Sequence, residues 1–132
     1  MVVNFSEAIV SDNIEYDIAG SDDTSFNGTS LQSTVTTTYS KLENLFGKPS
    51  RSDADPYEKV NMEWMIDAKV FYTDEYGDTD WRYIKATVYN WKTGYVPTEE
   101  YDWHVGGKDW DAVELIEQIL EGSVEPDYNW ND

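Results

Sequence analysis

His104 is the only histidine of the chain, and an imidazole is the side chain best suited to proton transfer near neutral pH. Asp102 stands two residues before it in an alternating run, so both side chains belong to one side of a predicted strand. A catalytic triad also needs a positioned nucleophile, and the sequence has no nucleophile elbow. We interpret His104 as a hydrogen-bonded structural residue at the strand exit, with a general-base role as the alternative. The sequence predicts no catalytic residue and no enzyme.

Two short runs that combine glycine and lysine raise the question of phosphate binding. Lys92–Gly94 and Gly106–Lys108 lack the G-x-x-x-x-G-K-[ST] spacing of a phosphate loop, and neither follows the strand of an evident βαβ unit. The second run precedes a predicted helix whose free N–H groups could hold an anion, although the carboxylate of Asp109 opposes one. Anion binding is therefore a minor alternative.

Acidic clusters are the remaining candidates for chemistry, because carboxylates bind hard cations and act in pairs in glycosidases. The cluster from Asp74 to Asp80 fails the register of an EF-hand loop. Weak Ca²⁺ or Mg²⁺ occupancy is the most that this pattern indicates, and the acids are too numerous for a catalytic pair to be singled out. We predict no dedicated metal site and no cofactor.

The charge balance limits the kinds of partner that the protein can bind. Twenty-seven Asp and Glu residues against nine Lys and Arg give the 132 residues a net charge of −18. This charge excludes direct binding to nucleic acid or to an anionic membrane, because phosphate contacts need cations. Three interpretations remain: solubility or a salt-rich habitat, attraction to a basic protein, and cation binding. Aromatic residues form 15% of the chain, which favours a folded protein over a disordered one.

The acidic residues of one predicted helix, from Asp109 to Glu121, recur every three to four positions opposite an apolar stripe: Asp111, Glu114, Glu117 and Glu121. Such a helix is roughly 20 Å long and supplies about half of the charge that B-DNA carries over that length. Mimicry of a phosphate backbone would need the acids of a predicted hairpin tip to complete the row: Asp74, Glu75, Asp78 and Asp80. We predict that these eight residues form an acidic partner-binding surface, and the alternative is an ordinary solvated face.

The elements that must position these residues are two long strands and a shorter third. Val60–Tyr72 places its apolar residues at even positions, and Thr79–Lys92 places Ile84, Ala86 and Val88 on one face. With the third run, Tyr101–Val105, the opposite face would hold Trp81, Tyr83, Tyr89, Trp91, Tyr101 and Trp103. The favoured interpretation is structural, a cluster covered by the N-terminal segment or simple cross-strand pairs. The alternative is an aromatic binding surface formed by Trp81, Tyr83, Tyr89, Trp91 and Trp103.

The remaining sequence predicts an α+β fold, an antiparallel sheet of about four to five strands with two helices packed on one face. Ser40 and Glu43 form a capping box for the first helix, and Gly47 ends it. We expect an N-terminal segment over 1–28, strand or loop and mobile in part, a core domain over 29–122, and an acidic aromatic tail over 123–132. The absence of cysteine, of a secretory signal and of a transmembrane run predicts a cytoplasmic protein.

Three motifs resemble a small family of tailed-phage proteins. Leu45–Pro49 matches its LFGxP helix end, Val88–Lys92 its "IYDWK"-like strand, and Trp103–Lys108 its "WHIGGK"-like strand exit, within a resemblance that spans about residues 29–121. The family has no settled activity, so the resemblance implies a viral origin. By association it also implies counteraction of host defence, as in anti-CRISPR proteins.

These observations together predict a phage-encoded, non-enzymatic inhibitor in the host cytoplasm. Its acidic surface would mimic the phosphate backbone and occupy a basic host protein, a nucleic-acid-binding defence effector. One alternative is a nucleotide-signal sponge that stacks bases on the aromatic face and builds its pocket as a homo-oligomer, although Arg51 and Arg82 are the only arginines for phosphate capture. The other alternative is a virion or assembly component.

Overall fold

The fold is an antiparallel sheet with two helices, seen in a computed structural model that describes residues 14–73 and 76–122. In chain order the elements are β1 (Ile14–Ile18), β2 (Ser30–Thr37), α1 (Tyr39–Phe46), β3 (Arg51–Ser52), β4 (Met62–Thr73), β5 (Thr79–Tyr89), β6 (Tyr101–Gly107) and α2 (Asp111–Gly122), with a 3-10 turn at Thr24–Phe26 between the first two strands. The predicted α+β class is confirmed.

The sheet is arranged as β1-β4-β5-β6-β2, and every pair of neighbours is antiparallel. The β4–β5 hairpin forms its centre, because alternating apolar residues in both strands bury one face in register from Glu63 opposite Tyr89 to Thr73 opposite Thr79. The sixth strand, β3, has only two residues and pairs with β4.

The core lies between one face of the sheet and both helices. Even-numbered residues of β4 and β5 meet apolar residues of α1 and α2 in a single buried cluster that includes Trp64, Ile66, Val88, Leu42, Phe46, Leu115 and Ile116. The Trp64 ring packs edge-on against Trp103 with centroids 5.8 Å apart, and its Nε1–H donates to the Gly47 carbonyl at 2.9 Å. This arrangement confirms the prediction of two helices on one face of the sheet.

The N-cap of the first helix lies two residues before its predicted position. Thr38 is the N-cap, with extended backbone angles and a hydroxyl that accepts a hydrogen bond from the Lys41 N–H at 3.2 Å. The predicted cap, Ser40, already belongs to the helix, so the capping-box prediction is wrong. Gly47 ends the helix at φ 72° as predicted, and its N–H donates to the Glu43 carbonyl.

The chain segment between β1 and β2 crosses the sheet, because these two strands form opposite edges. Ile14–Ile18 pairs with Ile66–Val70 of β4, so this part of the N-terminal segment is an edge strand of the sheet. Phe26 lies on the face opposite the helices, 5% exposed, and the Lys85 Nζ is 5.3 Å from its ring centroid. Residues 1–13, 74–75 and the predicted tail 123–132 lie outside the described residues.

Two buried asparagines join the loops at the end of the sheet away from the hairpin turn. The Asn90 Oδ1 accepts hydrogen bonds from the backbone N–H groups of Asn61 and Met62 at 2.8 and 2.9 Å. The Asn61 Nδ2 donates to the carbonyls of Asp53 and Asp55 at 2.9 and 3.0 Å. Nearly all polar atoms of this pair are therefore satisfied, as buried amides require. Within the described ranges, no helix is long and apolar enough to cross a membrane.

Candidate functional site

Acidic and aromatic side chains are exposed at the hairpin end of the sheet, with Asp80 on the helix side of β5 and the two rings on the other side. We define the hairpin-end surface as Asp78, Asp80, Trp81 and Tyr83. Trp81 and Tyr83 point away from the helices, 48% and 61% exposed, and their rings meet edge-on with centroids 5.1 Å apart. They stay exposed because β6 pairs with β5 only over residues 86–89, so the hairpin half of β5 has no neighbouring strand along that edge. The predicted tip residues Asp74 and Glu75 lie outside the described residues.

The acidic residues of α2 occupy two different environments. Asp111 forms an ion pair with Arg82 of β5, and the Asp109 carboxylate accepts a hydrogen bond from the Asp111 N–H at 3.0 Å. Burial raises the pKa of Asp111, with a further rise from the charge of Asp109, while Arg82 acts in the opposite direction. Glu114 is half-buried, and its Oε2 has no hydrogen-bond partner among the described residues. Glu117 and Glu121 are exposed.

The predicted row of acids on α2 is therefore only partly available to a partner. The apolar stripe is wide enough that Asp111 and Glu114 lie at its borders, against the sheet rather than in solvent. The Arg82–Asp111 pair brings the start of α2 beside the hairpin, as a continuous surface would require. The same pair, however, places a cation between the tip and the helix. Within the described part of the predicted row, the exposed carboxylates thus form two groups: Asp78 with Asp80, and Glu117 with Glu121.

Tyr89, Trp91 and His104 form a second aromatic group at the opposite end of the same face, which we define as the strand-exit cluster. The His104 ring lies 5.5 Å from Tyr89 and 6.4 Å from Trp91 between centroids. The Nζ atoms of Lys59 and Lys92 lie 5.9 and 5.8 Å from the Trp91 ring centroid. Tyr89 and His104 are half-buried, whereas Trp91 is 40% exposed, somewhat less than the two rings at the hairpin end.

The prediction that Trp103 and Tyr101 share this face is wrong. Val105 lies opposite Val88 and His104 opposite Tyr89, so odd-numbered residues of β6 align with even-numbered residues of β5. A shift of one position in register moves every side chain of a strand to the other face. Trp103 is consequently in the core at 0% exposure, with Tyr101 packed against it, and Trp103 cannot contact a partner.

The middle of the face is covered by Phe26 from the crossing segment. The predicted aromatic surface is therefore divided into two ends rather than continuous. In this central part the N-terminal segment does cover the sheet face, as the structural interpretation has it, and Met65 and Thr87 are buried there.

His104 is positioned by rings, and the predicted hydrogen bond is not formed. Its Nδ1 is buried with no partner among the described residues, and the Asp102 carboxylate instead accepts a hydrogen bond from the Thr36 hydroxyl at 2.5 Å. Burial lowers the pKa of His104. Among the described residues no side chain forms a hydrogen bond with His104, so this arrangement favours packing over proton transfer.

Within residues 14–73 and 76–122, no three His, Asp or Glu side chains come together in a way that could hold a metal ion. Comparison with protein-family models, with curated proteins and with solved structures gives no match to this chain.

Sequence reasoning missed the carboxylates that line one cavity together with Tyr83. Glu15, Asp17 and Asp67 lie on the same face as Tyr83, because β1 pairs with β4 and β4 with β5 in registers that align their odd-numbered residues. Residues Ile14–Ile18 alternate between apolar and polar types, so Glu15 and Asp17 share one side of a strand. No local signal in the sequence identifies β4 as the partner of that strand.

Proposed function

We propose that this chain is a non-enzymatic binding protein, encoded by a phage, that inhibits a nucleic-acid-binding defence protein in the host cytoplasm. Its carboxylates would bind the cationic surface on which the partner holds nucleic acid. The observation that carries the proposal is the hairpin-end surface, where Asp78 and Asp80 are exposed at the same end of β5 as Trp81 and Tyr83. Exposed tryptophan and tyrosine supply most of the binding energy in many interfaces, and carboxylates supply the complementary charge.

The net charge of −18 supports fast association with a cationic partner, because a strong field of one sign raises the encounter rate. Trp81 and Tyr83 would then bury apolar area in contact with the partner and slow its release. The Arg82–Asp111 pair joins the start of α2 to β5, the strand that carries Asp80. A preformed surface loses less entropy on binding.

A nucleotide-binding sponge is less well supported by the same geometry. Arg82 forms an ion pair with Asp111, and Arg51 lies 3.7 Å from Glu63, so each arginine already has an acidic neighbour. Phe26 also divides the face on which bases would stack. Phosphate capture would need a cation that these contacts do not engage.

The test is capture of a partner by the full chain, followed by competition. The immobilised protein is exposed to bacterial lysate at low salt, bound proteins are eluted with a salt gradient, and each one is identified by mass spectrometry. The proposal predicts a nucleic-acid-binding protein whose capture is prevented by duplex DNA.

A matched pair of double variants makes this test specific. Asp78→Asn with Asp80→Asn removes two charges from the hairpin end, whereas Asp53→Asn with Asp55→Asn removes two exposed charges from a distant loop. Capture should be lost with the first variant and retained with the second. Capture that DNA does not affect, or that both variants weaken equally, would overturn the proposal.

A further inference from the structure

The sheet face beside the hairpin-end surface contains a cavity of about 440 Å³. It opens where β1, β4 and β5 lie side by side, on the face opposite the helices. Its lining combines an exposed aromatic ring with charged side chains: Glu15, Asp17, Asp67, Lys69 and Tyr83, with Tyr16 and Ala68 between them.

Two rows of cross-strand neighbours build this cavity. In the first row Glu15 lies opposite Lys69, and Lys69 lies opposite Tyr83. In the second row Asp17 lies opposite Asp67, and Asp67 lies opposite Lys85. Asp67 is therefore a diagonal neighbour of Tyr83, and Glu15 and Asp17 lie one strand further away, across the same cavity.

The two lysines of these rows leave part of the negative charge unpaired. The Lys85 Nζ binds the Asp67 carboxylate at 2.9 Å. The Lys69 Nζ lies over the rings of Trp81 and Phe71, 4.7 and 5.1 Å from their centroids. Among the described residues, neither Glu15 nor Asp17 therefore has an ion-pair partner, although both are exposed at the cavity.

We propose that this cavity receives an arginine side chain of a cationic partner protein. A guanidinium lying on the Tyr83 ring would have an aromatic face on one side and the carboxylates of Glu15 and Asp17 within reach of its N–H groups. Arginine combines stacking with several directed hydrogen bonds, whereas the compact ammonium of lysine forms ion pairs without a planar stack. The position of Lys69 over Trp81 shows that this aromatic surface already accepts a cation from the chain itself.

The identity of the partner as a cationic protein rests on the proposed function, but recognition of arginine does not need that partner for its test. The probe is the blocked peptide Gly-Arg-Gly, with Gly-citrulline-Gly as the uncharged control of equal shape. Titration into the full ¹⁵N-labelled chain is followed by NMR. We expect shifts at the amides of Lys69 and Tyr83 and at the indole of Trp81 with the arginine peptide, and none with the citrulline peptide.

Two variants and one control localise the binding. Tyr83→Ala, and separately Glu15→Gln with Asp17→Asn, should each raise the dissociation constant of the arginine peptide about tenfold, the usual effect of losing one charge-assisted contact. Asp53→Asn with Asp55→Asn should leave it unchanged. The ¹⁵N spectrum of each variant reports whether its fold is retained.

Shifts spread evenly over all exposed carboxylates, equal binding of a Gly-Lys-Gly peptide, or no effect of the cavity variants would overturn this inference. Those outcomes differ from failure of the proposed function. That failure would appear as lysate capture without DNA competition, while the peptide titration could still succeed.

Discussion

The two ends of the sheet face opposite the helices carry similar aromatic side chains in different surroundings. At the strand-exit cluster, the Trp91 backbone N–H donates to the Tyr101 hydroxyl, His104 packs beside the ring, and two lysines lie near it. At the hairpin end, Trp81 and Tyr83 contact each other and Lys69, and they remain about half exposed. In the strand-exit cluster Tyr89 and His104 are half-buried and Trp91 is 40% exposed, so this end is the less open of the two.

This difference arises from topology rather than from residue type. β6 reaches β5 only near Ala86–Tyr89, so it covers the strand-exit end and leaves the hairpin end without a neighbour on that side. Side chains that stay largely exposed contribute little to stability and can bind another molecule. We therefore expect substitutions at the strand-exit end to affect folding, and substitutions at the hairpin end to affect binding.

Asn90→Ala should have the largest effect on stability, about 3 kcal/mol, because it leaves the buried N–H groups of Asn61 and Met62 without an acceptor. Urea unfolding followed by tryptophan fluorescence measures the loss. The control at the other end of the same strand is Tyr83→Ala. Equal losses for the two variants would show that the ends do not differ as described.

Phe26→Ala should cost about 2 kcal/mol, somewhat less than removal of a core phenylalanine, because the ring covers a sheet face outside the main cluster. It would also uncover the middle of the face and join its two ends. Binding of a hydrophobic dye should therefore increase in the folded variant. A variant with native stability and no added dye binding would show that Phe26 does not separate the two ends.

The free energy of unfolding should depend on pH through His104, which belongs to the strand-exit cluster. Burial lowers the pKa of this residue in the folded state, so between the folded and unfolded pKa values the unfolded chain binds more protons. The stability that neutral His104 contributes is therefore present above the unfolded pKa of about 6.5. It is lost as the pH falls from there toward the lower pKa of the folded state.

The comparison that isolates this effect is wild type against His104→Gln, with urea midpoints measured at pH of about 7.5 and about 5.5. Glu63, whose pKa burial raises, is present in both proteins and acts in the opposite direction, so it cancels in the difference. We expect the wild type to lose stability relative to the variant at the lower pH. Parallel pH profiles would contradict the packing described for His104.

Substitutions at the hairpin-end surface should have the smallest effect on folding. Asp78→Asn with Asp80→Asn, and Tyr83→Ala, should each change the free energy of unfolding by no more than about 0.5 kcal/mol, as is usual for exposed positions. The same urea measurements test this. A loss above about 2 kcal/mol would mean that this surface belongs to the folding core after all.

The sequence predicted the elements well because period-two alternation and helix stops are local signals. The alternation from Met62 to Tyr72 indicated a strand, Gly47 indicated the end of a helix, and the apolar stripe of α2 indicated a helix. The register between strands depends on contacts distant in sequence, so the faces of Tyr101 and Trp103 were predicted wrongly. The cap at Thr38 was missed because Ser40 is an equally good capping residue by type alone.

The candidate site was predictable in composition but not in arrangement. The hairpin tip and the exposed positions of Trp81 and Tyr83 follow from alternation, whereas the withdrawal of Asp111 toward Arg82 depends on where α2 packs. The partner strand of β1, and with it the cavity beside Tyr83, could be recognised only from the assembled sheet.

The most direct test of the central claim is the salt dependence of binding between this chain and the cationic protein that it captures. Titration calorimetry over increasing salt should show affinity that falls steeply, and the Asp78→Asn, Asp80→Asn variant should show a shallower fall than the Asp53→Asn, Asp55→Asn control. Affinity that stays flat across the salt series, or an identical slope for both variants, would contradict an acidic hairpin end that competes with nucleic acid.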